Sequence, residues 1–392
     1  MAELLLGAPV ADALTEEVAA RAAKLTEAGH QPTLAIIRVG ERDDDLSYER
    51  GATKRCDKAG IAIRKFLLPA DCSQEDLMAA VNEVNTDDAI DGCLMFRPLP
   101  KTLDEIAACA ALDPAKDMDG ITQGSLYGVF ANQAIGYPPC TADACMQIIK
   151  HYGYELKGAN VTVVGRSLVI GKPVSMMLQA ANATVTMCHT KTVDVDEKTK
   201  AADILVVAAG HIGTVGASGV REGQVVIDVG INWNEELGKL AGDVAFDEVE
   251  PIVAAITPVP RGVGSVTTAI LAEHVVTAAE RKMAYALCVL SDGKAAIPDG
   301  MAAFVRGGCC DGWCMQRCAG CREERCAGFC ADCRAGRCAG RRVGRCAGVR
   351  LRTSAHLGAS VHLPAGVRLC AAAIPSRCCR KGRWHTCRQD RR

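Results

Sequence analysis

The chain has 392 residues, enough for two ordinary domains with sizeable cores and further material besides. Its net charge of −1 hides an asymmetry: Arg306 to Arg392 holds 18 Arg, one Lys and five acids, or +14, whereas the remainder holds 26 basic and 41 acidic residues, or −15. An acidic body argues against nucleic acid as a partner, and its longest apolar runs, such as Ile204 to Ala209, fall far short of a bilayer span.

Eight of the 22 cysteines are scattered between Cys56 and Cys288 without pairing spacing, as small hydrophobes of a reducing compartment are; the other 14 fall between Cys309 and Cys387. Glu3 precedes a short apolar run with no basic n-region, so no signal peptide is expected. The body is read as soluble and cytoplasmic.

In chain order, Leu4 to Ala28 carries Ala, Leu and Glu at helical spacing and predicts a helix. Thr33 to Val39, ending at Gly40, reads as a buried strand. Ser47 to Ala59 reads as a helix stopped by Gly60. Strands are expected at Ile61 to Leu68 and Gly92 to Phe96, with a helix around Gln74 to Val84 between them, so a first α/β unit closes near Gly120. Pro138, Pro139 and Cys140 punctuate the chain before a helix at Ala142 to Tyr152.

A second unit then begins with a strand at Asn160 to Val164, a helix at Gly171 to Ala181 and a strand at Thr184 to Cys188. Further strand-like runs are Ile204 to Ala208, Gln224 to Val229 and Ala254 to Thr257. Strand, glycine turn, helix, strand is the order of a Rossmann-type, doubly wound parallel sheet, and Thr267 to Arg281 reads as a closing helix.

The run Gly165-Arg166-Ser167-Leu168-Val169-Ile170-Gly171-Lys172-Pro173 follows a predicted strand and opens a helix. Glycine there allows backbone to approach a phosphate, and the helix start offers unpaired N–H groups. Taken alone, the turn fits any α/β protein equally well. Where an NAD site commonly places an acid for the ribose 2′-hydroxyl, this chain has Cys188-His189-Thr190-Lys191-Thr192, with Arg166 in the first turn. Hydroxyls and cations suit a 2′-phosphate, which favours NADP, while His189 has the alternative of a hydrogen-bonded structural role.

Earlier in the chain lie Tyr48, Pro98-Leu99-Pro100, Pro114-Ala115-Lys116-Asp117-Met118-Asp119-Gly120 and Pro139-Cys140-Thr141. After the glycine turn come Thr184 to His189, Asp228-Val229-Gly230-Ile231-Asn232 and Thr257-Pro258-Val259-Pro260-Arg261-Gly262-Val263-Gly264-Ser265-Val266-Thr267. In this order they resemble the methylenetetrahydrofolate dehydrogenase/cyclohydrolase family from the start of the chain to about Met283.

The resemblance implies a homodimer with a folate-binding catalytic domain (residues 1–140, completed by helix 267–283) facing an NADP-binding domain (141–266) across a cleft. It implies hydride transfer from 5,10-methylenetetrahydrofolate to NADP, then opening of the methenyl cation by water to 10-formyltetrahydrofolate. Gly165, Arg166, Ser167, Thr190 and Ile231 would contact the cofactor. Asp119 would hold the pterin, Tyr48 would line the one-carbon centre, and Gly262 and Gly264 would let backbone approach substrate and nicotinamide. No metal is expected in the body. Each residue has a plainer reading: Asp119 a turn acid, Tyr48 a packed aromatic, the two glycines shapers of a turn. Lys116 and Asp117 are read as a solvated loop pair.

Two departures stand out. The family's Lys four residues after the tyrosine is Ala52 here, and a Gln two residues before Pro-Leu-Pro is Phe96. Both missing groups belong to the hydrolytic step. Lys54, at a second basic position of the motif, completes the candidate catalytic set with Tyr48 and Asp119; Arg50 and Arg55 are electrostatic alternatives. Positions four and seven apart share a helix face, so Arg55 lies on the side of Tyr48 and Lys54 does not. Arg261 and Ser265 also stand where Gly and Pro are usual. With these changes, a dehydrogenase alone or an inactive NADP-binding folate sensor remain as alternatives.

Residues 284–392 form a Cys/Arg-rich tail, and from Gly307 the logic changes: Arg-Cys-Ala-Gly recurs from Arg317, Arg325, Arg337 and Arg345, and apolar periodicity is absent. Cys318-x-x-Cys321 and Cys330-x-x-Cys333 have the spacing of a zinc site, which would suit a nucleic-acid module. The plainer reading is a disordered, coreless stretch resembling GC-rich DNA translated out of frame.

Overall fold

A computed structural model of the protein describes residues 1–235 and 238–292. The last helix runs to Asp292, nine residues into the tail expected to be disordered from 284, because Ala284 to Leu290 continues its apolar helical run. The rest of the tail, with its two Cys-x-x-Cys pairs, lies outside the described residues. The elements begin with β1 (Glu3–Leu4), α1 (Gly7–Glu27), β2 (Thr33–Val39), α2 (Asp43–Ala59), β3 (Ala62–Leu68), α3 (Gln74–Thr86), β4 (Gly92–Met95) and α4 (Glu105–Ala111). They continue with α5 (Gln123–Ala131), α6 (Cys140–His151), β5 (Asn160–Val164), α7 (Gly171–Ala180), β6 (Thr184–Cys188), α8 (Val195–Lys200) and β7 (Ile204–Val207). Last are β8 (Val225–Asp228), β9 (Asn232–Asn234), β10 (Lys239–Ala241), α9 (Phe246–Val249), β11 (Ala255–Ile256) and α10 (Thr267–Asp292).

Branched aliphatic runs joined by helices pair in parallel, because each helix carries the chain back to the same edge. A three-stranded sheet takes the order β3-β2-β4 and a six-stranded sheet the order β1-β11-β8-β7-β5-β6, with every pairing in both parallel. Strands β7 and β8 are buried at every residue, as expected for a sheet covered on both faces. The fold is α/β with a doubly wound parallel sheet.

Sequence and structure part at a few elements. Glu3–Leu4 extends the larger sheet beside β11 rather than starting the first helix. Helix α2 starts at Asp43, four residues before the predicted Ser47, with Asp43, Asp44 and Asp45 in its first turn where carboxylates favour the helix dipole. Gly60 ends it in the left-handed conformation, as read from sequence. Helix α10 packs against α1, α2 and α6, so the chain returns to its first half. Arg21 of α1 fixes that return through two hydrogen bonds to Glu280, at 3.0 and 2.8 Å, and one to Thr277 at 2.7 Å. Among the described residues, no helix is long and apolar enough to cross a membrane.

Candidate functional site

At the end of β5 the chain turns on glycine for steric reasons. Gly165 sits at φ +139°, and a Cβ there would stand 2.2 Å from the Ala208 carbonyl oxygen. A Cβ on Gly171 would meet the Gly165 oxygen at 2.4 Å, so the two glycines let backbone close on backbone. Ser167 Oγ accepts hydrogen bonds from the N–H of Ile170 (3.1 Å) and of Gly171 (3.5 Å) at the start of α7. Arg166, Ser167 and Thr190 are exposed. The segment after β6 is a hydrogen-bonded turn: His189 N–H donates to Thr192 Oγ1 (2.8 Å), and His189 Nδ1 accepts from Lys191 N–H (3.1 Å).

Two buried carboxylates organise the neighbouring loops. Asp228, at the end of β8, accepts from the N–H groups of Gly230, Asp243 and Val244, each at 3.0 Å. Burial pushes its carboxyl up to about 6 against those three donors. Asp243 accepts from Ala209 N–H (2.6 Å) and Gly210 N–H (2.8 Å) after β7, and from Asn232 Nδ2 (2.9 Å). Ile231, between these anchors, is left 60% exposed. A Cβ on Gly264 would come within 3.1 Å of Ile231 Cδ1, so the loop before α10 meets the larger sheet at that point. Gly262 is held closer still: a Cβ there would stand 2.6 Å from the Pro258 oxygen. Arg261 occupies the left-handed region at φ +84°, a conformation that favours glycine.

The second cluster is made of side chains. Tyr48 on α2 meets Phe96 edge to face, with ring centroids 6.0 Å apart and planes at 83°. Burial, then the proximity of Cys140 and Asp119, holds the Tyr48 phenol well above its ordinary range, with the Thr267 hydroxyl opposing that rise. It is therefore a proton donor at neutral pH. Asp119 is half-buried and accepts from Cys140 N–H (3.1 Å), the first residue of α6. Burial raises its carboxyl, and the hydrogen bonds from Cys140 oppose that rise.

Ala52, one turn after Tyr48, is completely buried. Lys54 and Arg50 are exposed, so the helix does not bring Lys54 to Tyr48. Arg55 turns to α1, where Nη1 donates to Thr15 Oγ1 at 2.8 Å. Its guanidinium is thereby committed away from the tyrosine.

Lys116 and Asp117 are not a solvated pair. Asp117 is fully buried and accepts from Ile121 N–H (3.0 Å), Thr122 N–H (2.8 Å) and Ser125 Oγ (2.6 Å). Lys116 Nζ donates to the carbonyls of Val84 (2.6 Å) and Asp87 (2.7 Å). Facing pairs of unmet backbone groups decided their burial, and together they lock the segment that presents Asp119. His274 has no signal in the sequence, because its partners Met118 and Asp143 are remote in the chain.

Comparison with known proteins covers both clusters. Residues 5–119 match the family model for the tetrahydrofolate dehydrogenase/cyclohydrolase catalytic domain, and residues 139–283 match that for the NAD(P)-binding domain. A bifunctional protein FolD of Carboxydothermus hydrogenoformans is 49% identical over 281 residues, 71% of this chain and 98% of that protein. The crystal structure of the Campylobacter jejuni bifunctional FolD has a TM-score of 0.69 at 34% identity and covers 72% of this chain and all of that one. The Trypanosoma brucei enzyme, solved with NADP and an inhibitor, has a TM-score of 0.67 at 34% identity over 72% of this chain and 98% of its own. The protein is a member of the tetrahydrofolate dehydrogenase/cyclohydrolase family.

Proposed function

We infer that the chain oxidises 5,10-methylenetetrahydrofolate to 5,10-methenyltetrahydrofolate with NADP and hydrolyses the product to 10-formyltetrahydrofolate, in one-carbon metabolism. The observation that carries this is family membership across both halves of the described chain, with Tyr48 and Asp119 in one and the glycine turn in the other. Residues 1–140 with helix 267–283 would form the folate-binding domain, and residues 141–266 the NADP-binding domain. A homodimer, implied by the family resemblance, and a cytoplasmic location complete the reading. Seven free cysteines among the described residues support a reducing compartment.

The turn fits a dinucleotide: Gly165 and Gly171 let backbone close on backbone, which brings the exposed Arg166 and Ser167 to the first turn of α7. Gly165, Arg166, Ser167, Thr190 and Ile231 would hold NADP, which supplies the hydride acceptor when bound. The chain's own part is positioning and electrostatics. Asp119 would accept hydrogen bonds from the pterin's amino and ring nitrogens, fixing the ring. Tyr48, kept protonated, would donate at the one-carbon centre. Gly262 and Gly264 would let backbone lie against substrate and nicotinamide.

The complete burial of Ala52 and the contact of Phe96 with Tyr48 favour a second reading for the hydrolytic half, in which only hydride transfer is enzymatic. The test mixes methylenetetrahydrofolate with NADP and full-length protein and follows NADPH and methenyltetrahydrofolate separately. Methenyl loss faster than spontaneous hydrolysis establishes both activities. Methenyl accumulating in step with NADPH establishes the dehydrogenase alone.

A further inference from the structure

His274 is a buried histidine in the middle of α10, and both of its ring nitrogens face oxygen acceptors. Nδ1 lies 2.8 Å from the Met118 carbonyl oxygen, and Nε2 lies 3.5 Å from Asp143 Oδ2 on α6. A carbonyl only accepts, so the 2.8 Å contact puts a proton on Nδ1; the Asp143 carboxylate, at ion-pair distance from Nε2, favours a second proton there. A neutral imidazole has one N–H and satisfies one of these partners at the expense of the other.

The peptide that receives the Nδ1 proton is the one leading into Asp119. Its other side is fixed as well: the Met118 side chain is fully buried against Gly92, where a Cβ would stand 2.5 Å from Met118 Cγ. Cys140 Sγ donates to the same carbonyl at 3.3 Å, while Cys140 N–H donates to Asp119 Oδ1. Hydrogen bonds therefore join His274 to the Met118 carbonyl, that carbonyl to the Cys140 thiol, and the Cys140 N–H to the Asp119 carboxylate, with Asp143 at ion-pair distance from the ring.

We propose that His274 is a positioning residue for Asp119: an imidazolium spanning the Asp143 carboxylate and the Met118 carbonyl, it sets the peptide that aims Asp119 at the folate. The inference rests on the reading of Asp119 as the pterin anchor. Its second proton is held by local charge. Burial alone would discharge the ring, but the Asp143 carboxylate, the Met118 carbonyl and Glu273 favour the charged form, and its affinity for protons is raised. The remaining groups around it are the Cys140 thiol on α6, the Tyr137 ring at 5.0 Å, and Arg281, which lies over that ring at 4.6 Å. Arg21 of α1 faces Glu273 at 3.9 Å. A cavity of about 300 Å³ lined by Asp143, Glu273, His274 and Arg281 adjoins the ring.

The test uses the full chain with NADP. In wild type, the folate KM rises as alkaline pH removes the second proton, while the NADP KM does not follow. H274N keeps a donor at the Nδ1 position and nothing to titrate, so its folate KM stays within about threefold of wild type at neutral pH and is flat through that step. H274Q reaches towards Asp143 and leaves the Met118 carbonyl only the weak Cys140 thiol donor, so its folate KM rises about tenfold with kcat nearly unchanged. Nitrogen-15 spectra of histidine-labelled wild type read the geometry without a variant. One ring protonated at both nitrogens at neutral pH, absent in H274N, is expected; a singly protonated His274 overturns the proposal. D119N separates the two levels. If it leaves the folate KM unchanged, the anchoring role and the proposal fall together. If D119N raises the folate KM while H274Q does not, only the positioning role of His274 is overturned.

Discussion

At the turn after β5 the working surface is backbone, exposed and drawn from one short run, whereas around Asp119 it is side chain, enclosed and gathered from α2, α6, α10 and the Lys116–Gly120 segment. Gly165 and Gly171 act by lacking a Cβ, so their contribution is all or nothing. Tyr48, Asp119 and Cys140 act through hydrogen bonds and burial, each of which can be weakened by degrees. A surface made of backbone tolerates change in the exposed side chains that flank it. A cluster of side chains instead depends on residues that never touch a ligand, such as the buried Asp117.

The sharpest way to break the comparison is at Gly165. Alanine there must adopt φ +139° and place Cβ against the Ala208 carbonyl. At a cost of about 2–3 kcal/mol, NADP affinity falls roughly 30- to 100-fold, as titration of NADPH fluorescence should show, while folate affinity changes little. A smaller effect of opposite selectivity is expected from D119N, which keeps the shape and removes the charge. The folate KM rises on the order of 30-fold, as for a charged hydrogen bond, with NADP affinity unaffected.

A test confined to stability concerns Asp228, which belongs to the backbone side yet carries a buried carboxyl. Its carboxyl moves from an ordinary 3.8 to about 6 on folding, so the folded chain binds the proton more tightly. Its contribution to stability is therefore present below about pH 4 and is lost as pH rises through about 6. Replacing it by Asn removes about 2–3 kcal/mol of slope across that window, read as a flatter dependence of the denaturation midpoint on pH.

The same division governs what could be read in advance. Strands β5 and β6 have the predicted bounds, because short runs rich in β-branched residues report themselves locally, β5 also by the glycine that ends it. Helix α5 escaped notice because Gly124 and Gly128 interrupt its apolar pattern, although Thr122 caps it with its side chain. The reach of β1 to Ala255–Ile256 is a pairing across nearly the whole body, with no local signature. In the candidate site, strand, glycine and helix announced a tight turn, but not what it binds, since that pattern alone fits any α/β protein. Tyr48 and Asp119 were legible only through resemblance, since nothing near either residue announces the other. Lys116 and Asp117 were misread because a charged pair in a loop looks solvated until the carbonyls and N–H groups that bury it are in place. His274 gave no sign at all, as its partners lie on two other segments.

The central claim is that the two regions work together on one hydride, and NADPH formation by the full chain with methylenetetrahydrofolate tests it most directly. The account predicts NADPH formation that depends on both substrates, and the reverse reaction from methenyltetrahydrofolate and NADPH. No turnover in either direction, from folded protein that binds NADP, would contradict it and leave a binding protein in place of an enzyme.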